Sequence, residues 1–146
     1  MNAWKKISSK VIYKNQWFSL SADQVIRPDG KRGPYHVIRT SADAVFIVAV
    51  NPRSEIALVR MHRYTTGRWG WEVPAGMVDQ ETLVKAAQRE LKEETGFRAR
   101  KWKKIATFYS MNGIARDRSH VYIAKGLRLG KENTKKEEGI VAVDFF

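Results

Sequence analysis

The seven residues Ala44 to Val50 read AVFIVAV, an unbroken apolar run rich in β-branched side chains. A strand with water on one face alternates apolar and polar residues, whereas a run like this one suits a strand buried on both faces. The chain must therefore pack other elements against both sides of one strand, and 146 residues, 43% of them apolar, suffice for one domain with a real core. The same run is the longest apolar stretch. It falls far short of the roughly 20 residues that cross a bilayer, and the opening MNAWKKISSKVIY has no signal-like apolar segment. With no cysteine in the sequence, disulfides and thiolate metal sites are excluded and only oxygen and nitrogen ligands remain. The expectation is a soluble cytoplasmic protein with no membrane partner.

Upstream, KVIYKNQWFSLSADQVIRPDG alternates apolar and polar residues and reaches a turn signal at Pro28-Asp29-Gly30, which predicts a hairpin or meander. YHVIRT predicts a further short strand, and EIALVRMHR, after the turn at Asn51-Pro52, the neighbour of AVFIVAV. Thr65 to Trp71 reads as irregular or edge-like. A helix is expected from about Leu83 to Thr95, with Thr82 as N-cap and Gly96 as the stop. KWKKIATFYS and SHVYIAKGL predict strands on either side of the loop MNGIARDR, and GIVAVDFF the last strand. No repeat or linker interrupts the chain, so one mixed sheet carrying the helix, with a strand-rich N-terminal extension, is expected.

The 27 Lys and Arg against 15 Asp and Glu leave a net charge of +12. Such a balance suits a nucleic-acid partner, an anionic small substrate or a solubilising surface, and the spread of the basic residues along the chain favours the last. Against that background, the acids of PAGMVDQETLVKAAQRELKEETGF stand out. On a helical projection Glu94 lies about 40° to one side of Glu90 and Glu93 about 60° to the other, flanking the stripe of Leu83, Val84, Ala87 and Leu91. Lys85, Gln88, Arg89 and Lys92 take the solvent side. Carboxylates at i, i+3 and i+4 repel one another, and a cation between them relieves this. Hard divalent ions such as Mg²⁺ use one or two carboxylates plus substrate phosphates. Arg89, one turn before Glu93, can pair with it, leaving Glu90 and Glu94 as the better ligands. An exposed helix with alternating charges also produces RELKEE; the surrounding pattern decides against it.

That pattern resembles the Nudix box, G-x5-E-x7-R-E-U-x-E-E-x-G-U, where U is a bulky apolar residue. Gly76, Glu81, Arg89, Glu90, Leu91, Glu93, Glu94, Gly96 and Phe97 answer to it, except that MVDQ supplies four residues between Gly76 and Glu81 where the box has five. VRMHRYTTGRWGWEVPAGMVD, NQWFSLSADQVIRPDG and NGIARDRSHVYIAKGL are similar to the flanks of the ADP-ribose and nucleoside-diphosphate-sugar pyrophosphatase group, with Asp117 where that group commonly has glutamate.

The resemblance implies an α/β fold, a Nudix-type α/β/α sandwich with a mixed sheet and an N-terminal antiparallel sheet extension. It implies one Nudix domain over residues 1–146, about 1–40 being a dimerisation extension and about 41–146 the catalytic core. The implied reaction is hydrolysis of the pyrophosphate in a nucleoside diphosphate linked to a sugar, with Mg²⁺ or Mn²⁺ as cofactor and a homodimer as the assembly. Nudix enzymes of nucleoside triphosphates or RNA 5′ ends, and a non-catalytic nucleotide-binding module, are the alternatives. The implied metal ligands are the Ala75 carbonyl, Glu90 and Glu94, with Glu93 a ligand or water-orienting group, and Arg89 and Glu81 shape the array. Arg63, Glu72, Gly76, Asp117 and Trp17 are the implied substrate contacts, although Trp17 also reads as a core or interface aromatic and Arg63 as a surface residue. A general base from a loop after the box would be Glu137 or Glu138, in a segment that also reads as solvated. His36, His62 and His120 fall in strands without zinc spacing and read as structural.

Overall fold

The structure, a computed structural model, describes residues 3–130 and 139–146. The chain divides into two compact units, residues 1–43 with 109–118 and residues 44–108 with 119–146.

In the first unit, β1 (Lys5–Lys14), β2 (Phe18–Ile26) and β3 (Arg32–Thr40) form an antiparallel meander, and the short β9 (Ala115–Arg116) adds to β3 in parallel. Two side chains set the turns. Asn15 Oδ1 accepts hydrogen bonds from the backbone N–H of Trp17 and of Phe18, each at 2.8 Å, and Asp29 Oδ1 accepts one from Lys31 at 3.0 Å. On one face of this sheet Ser21, Asp23 and Val25 are buried. Asp23 is balanced there by the Ser9 hydroxyl and by Arg39 at 3.1 Å, and Arg39 also donates to Ser21. The Ser9 hydrogen bond holds the Asp23 carboxyl below its ordinary value against the opposing pull of burial, with Arg39 adding to the lowering.

In the second unit, β4 (Ala44–Val50) lies inside a four-stranded mixed sheet of order β7-β4-β10-β8, where β7 is Ala75–Met77, β8 is Phe97–Tyr109 and β10 is Arg118–Leu129. Alternate residues of β4, Val45, Ile47 and Ala49, are fully buried, and they meet Ala86, Ala87 and Leu91 of the helix α1 (Leu83–Thr95) in the main core. The helix has the predicted bounds. Gly96 ends it in the left-handed region at φ 73°, with its N–H on the Lys92 carbonyl at 2.9 Å. Thr82 stands at the N-cap but makes no side-chain cap; its carbonyl takes the Ala86 N–H instead.

Two expectations are corrected. The strand after Asn51, β5 (Ala57–Arg63), is not a sheet neighbour of β4 beyond a single bridge between Val50 and Ile56. β4 is hydrogen-bonded to β10 in parallel and to β7. The Asn51 side chain accepts bonds from Arg53 and Glu55, closing a turn that sends β5 into a separate antiparallel sheet of order β11-β5-β6, with β6 at Arg68–Glu72 and β11 at Ile140–Phe145. The core strands thus form two sheets where one mixed sheet was expected, and Arg68–Glu72 is the edge its composition suggested. Among the described residues, no helix is long and apolar enough to cross a membrane.

Candidate active site

The acids of α1 sit deeper than the projection put them. Glu90 and Glu94 are 2% and 3% exposed, inside the buried stripe and not beside it, while Glu93 is half-buried. A buried carboxylate needs hydrogen bonds or an opposite charge, and both are supplied locally. The Ala75 backbone N–H donates to Glu94 Oε2 at 3.1 Å, and Arg89 Nη1 donates to Glu90 Oε1 at 2.5 Å.

The segment Pro74–Met77 is the floor for these groups. The Pro74 carbonyl is fixed by the Ile47 N–H at 2.8 Å, and Ala75, Gly76 and Met77 pair with Phe46, Val45 and Ala44. Gly76 is glycine for a steric reason: a Cβ there would lie within 2.7 Å of Cδ and both oxygens of the Glu90 carboxylate. Close backbone approach, not unusual dihedral freedom, is what this glycine provides.

Arg89 ties the cluster together. Its Nε donates to Glu81 Oε1 at 2.8 Å, its Nη2 to the Met77 carbonyl at 3.0 Å, and its Nη1 reaches Glu93 Oε2 at 3.3 Å besides Glu90. The expected Arg89–Glu93 pair is therefore the longest of four contacts, and Glu81 and Glu90 are the principal partners. Burial works to lower the Arg89 pKa, but the hydrogen bonds and charges of Glu81 and Glu90 outweigh it and raise it, so the guanidinium stays charged. The short loop MVDQ reaches Glu81 with Gln80 at φ 41°, a left-handed conformation uncommon for a residue with a side chain.

Away from the helix, Arg63 and Glu72 meet in a two-pronged ion pair, Nε to Oε1 at 3.0 Å and Nη2 to Oε2 at 2.8 Å. The Arg63 hydrogen bonds, joined by its charge and opposed by burial, hold the Glu72 carboxyl below its ordinary value. Trp17 and Asp117 belong to the first unit. Trp17 is exposed at the β1–β2 turn, and Asp117 Oδ2 accepts from the Ser110 hydroxyl and the Met111 N–H, closing the loop between β8 and β9. Glu137 and Glu138 lie outside the described residues. His36, His62 and His120 are all in strands, with His120 buried against the Thr107 hydroxyl at 3.1 Å. Sequence reasoning missed the Met77 carbonyl as an anchor for Arg89; the box marks side chains, and only the loop geometry brings that carbonyl under the helix.

Among the described residues, no group of three or more His, Asp or Glu side chains could hold a metal ion unaided. The donor chemistry nevertheless fits a hard divalent cation. Glu90 and Glu94 are two buried carboxylates on one backbone floor, and Mg²⁺ commonly takes one or two protein carboxylates and completes its shell with substrate phosphates and water.

Comparison with known proteins gives the family. The model of the NUDIX domain matches residues 40–146, and that of the nucleoside diphosphate sugar hydrolase N-terminal domain matches residues 4–38. The chain belongs to the Nudix family and has its mixed α/β fold, the class of the Nudix hydrolases. It is 33% identical to an ADP-ribose pyrophosphatase of Mycobacterium tuberculosis over 98% of this chain and 70% of that protein. It is 32% identical to a CMP-5'-(N-acetyl-N-hydroxy-3-aminopropyl)phosphonate hydrolase of Streptomyces rubellomurinus over 86% of this chain, spanning 61% of that protein's length. A crystal structure of an ADP compounds hydrolase superposes on the whole chain and 79% of its own, with a TM-score of 0.86 at 20% identity, a likeness of fold.

Proposed function

We propose that the chain hydrolyses the pyrophosphate linkage of a nucleoside diphosphate joined to a sugar, ADP-ribose or a nucleotide sugar, giving a nucleoside monophosphate and a sugar phosphate. The observation that supports this best is the pair of buried carboxylates, Glu90 and Glu94, set on the Pro74–Met77 floor and braced by Arg89. The pyrophosphatase name of the Mycobacterium tuberculosis relative points to the same reaction class.

In this reading Glu90, Glu94 and the Ala75 carbonyl hold Mg²⁺ or Mn²⁺, which supplies charge neutralisation at the phosphates and a lowered pKa for the attacking water. Glu93, less buried than its neighbours, orients that water. Arg89 and Glu81 keep the carboxylates from splaying under their mutual repulsion, and Gly76 lets Glu90 lie flat against the backbone. Water oxygen bonds to one phosphorus as the bridging P–O bond breaks, the bridging oxygen leaves on the other phosphate, and a general base, Glu137 or Glu138, takes the proton. Arg63, Glu72, Trp17 and Asp117 are the proposed substrate contacts. The positive surface gathers the polyanion. The fully exposed edge strand β1, with Ile7, Val11 and Tyr13 uncovered, supports a homodimer through the N-terminal extension, which light scattering would read as twice the chain mass. The absence of cysteine suits the cytoplasm.

Phosphate released in the presence of a phosphatase, with and without Mg²⁺, is measured over ADP-ribose, sugar nucleotides, dinucleotides and triphosphates. Turnover of the diphosphate-linked sugars is expected, and no turnover of any substrate would sink the reading.

A further inference from the structure

The side of α1 opposite the carboxylates carries Lys85, Gln88 and Lys92 at helical spacing, and the C-terminal part of this stripe faces the start of β8. Gln88, Lys92, Arg98, Ala99 and Trp102, all in the second unit, line a cavity of about 250 Å³. Its walls are fixed. The Trp102 indole N–H donates to the Ala99 carbonyl at 3.1 Å and the ring meets Tyr122 edge-on at 6.4 Å. Arg98 runs along the backbone of Gly130, where a Cβ would stand 3.5 Å from the guanidinium Nε, and the Gly130 N–H is itself held by the Gly96 carbonyl at 2.8 Å.

Among the described residues the charge of this cavity is uncompensated. Neither Lys92 nor Arg98 has an acidic partner among the described residues, whereas Arg39, Arg63 and Arg89 each have one. Lys92 is half-buried and lines the cavity. A lysine, an arginine and the Gln88 amide converging on one concavity offer charge-assisted hydrogen bonds to a compact anion, the guanidinium in a two-pronged fashion. The volume lies below the roughly 300–1,000 Å³ of pockets for drug-sized ligands and suits a phosphate on a single sugar ring. Half-buried Trp102 provides an apolar wall against which the sugar carbons pack.

We propose that this cavity is a second, non-catalytic anion site that takes a sugar phosphate monoester. The inference stands on the cavity alone. Under the hydrolytic reading above its ligand belongs to the chemical class of the second product, so the protein would sense what it makes.

The test is calorimetric titration of ribose 5-phosphate into the full chain in EDTA, which removes divalent-cation-dependent binding at the box, with ribose and inorganic phosphate as comparison arms. Expected are one site per chain for ribose 5-phosphate, at least tenfold weaker binding of inorganic phosphate, and none of ribose. Lys92→Gln and Arg98→Gln should each weaken binding at least tenfold while leaving melting temperature and Mg²⁺-dependent hydrolysis near wild type. Arg98, on a strand, keeps the test decisive should Lys92→Gln loosen the last helical turn. Wild-type affinity in the double variant, or no binding by the native chain, would overturn the proposal. Equal affinity for inorganic phosphate would overturn the sugar specificity. Loss of hydrolysis with binding intact would instead strike at the catalytic reading alone.

Discussion

The Glu90 carboxylate occupies the space in which a Cβ of residue 76 would stand. A glycine on one segment and a glutamate fourteen positions later are thus a single steric unit. Gly76→Ala should leave the fold intact, because the atoms in the way are the end of a flexible side chain, at a stability cost of about 1–3 kcal/mol from overpacking. Turnover should fall by orders of magnitude as Glu90 is displaced. In a Glu90→Ala background the stability cost of Gly76→Ala should vanish, which paired urea titrations would read as a coupling energy.

Arg89 satisfies three carboxylates and the Met77 carbonyl at once. Arg89→Met leaves Glu90 buried without that cation. Breaking a fully buried pair costs about 3–5 kcal/mol, and with the guanidinium about one-third exposed a loss nearer 2 kcal/mol is expected. Arg89→Lys, which cannot reproduce the fork, should recover only part of it. Equal midpoints of chemical unfolding for Arg89→Met and wild type would refute the bracing role.

Glu94→Gln keeps the shape of the side chain and an oxygen to accept the Ala75 N–H but removes the charge. Hydrolysis should drop by orders of magnitude with an unchanged circular dichroism spectrum, and in the native chain EDTA should abolish activity that Mg²⁺ or Mn²⁺ restores. Near-wild-type rates in Glu94→Gln would refute the assignment of this carboxylate to the metal.

Asp23 has a folded-state pKa below its ordinary value. Its contribution to stability is therefore fully present above the unfolded value of about 3.9 and is lost as pH falls through the lower folded value. Unfolding midpoints at successive pH values should fall below about pH 4, and Asp23→Asn should flatten that part of the curve while lowering stability at neutral pH. An identical acid limb in the variant would show that other carboxyls govern it.

Gln80 holds a left-handed dihedral in a loop one residue shorter than the box usually has. Gln80→Gly should be neutral or stabilising by a few tenths of a kcal/mol, since relief of the steric term offsets the entropy of glycine. Gln80→Ile, β-branched at the same dihedral, should cost about 1–2 kcal/mol. If the two substitutions changed the melting temperature alike, the loop would carry no such constraint.

Local patterns made the bounds of α1, the left-handed stop at Gly96, the strand at Ala44–Val50 and the acids of the box legible in the sequence. Partners were not legible. Nothing near β4 says that its parallel neighbour begins at Ser119, because strand pairing is chosen by long-range packing. The depth of Glu90 and Glu94 was also hidden: a helical projection ranks residues around an axis, while the floor at Pro74–Met77 decides how far the covered arc extends. Glu81 was hard to weigh from a loop with a missing residue, and the turn at Gln80 is what delivers it to Arg89.

The parallel pairing of β4 with β10 bears on how the protein is born. During synthesis the box helix, β7 and β4 emerge well before Ser119–Lys125, which completes the bed beneath them. Pairings between segments so distant in sequence are slow to close, and an uncovered apolar strand invites association in the meantime. A ribosome-bound fragment ending before Ser119 would thus carry every residue of the box and still lack a formed site, so competence should arise late and abruptly as the chain lengthens.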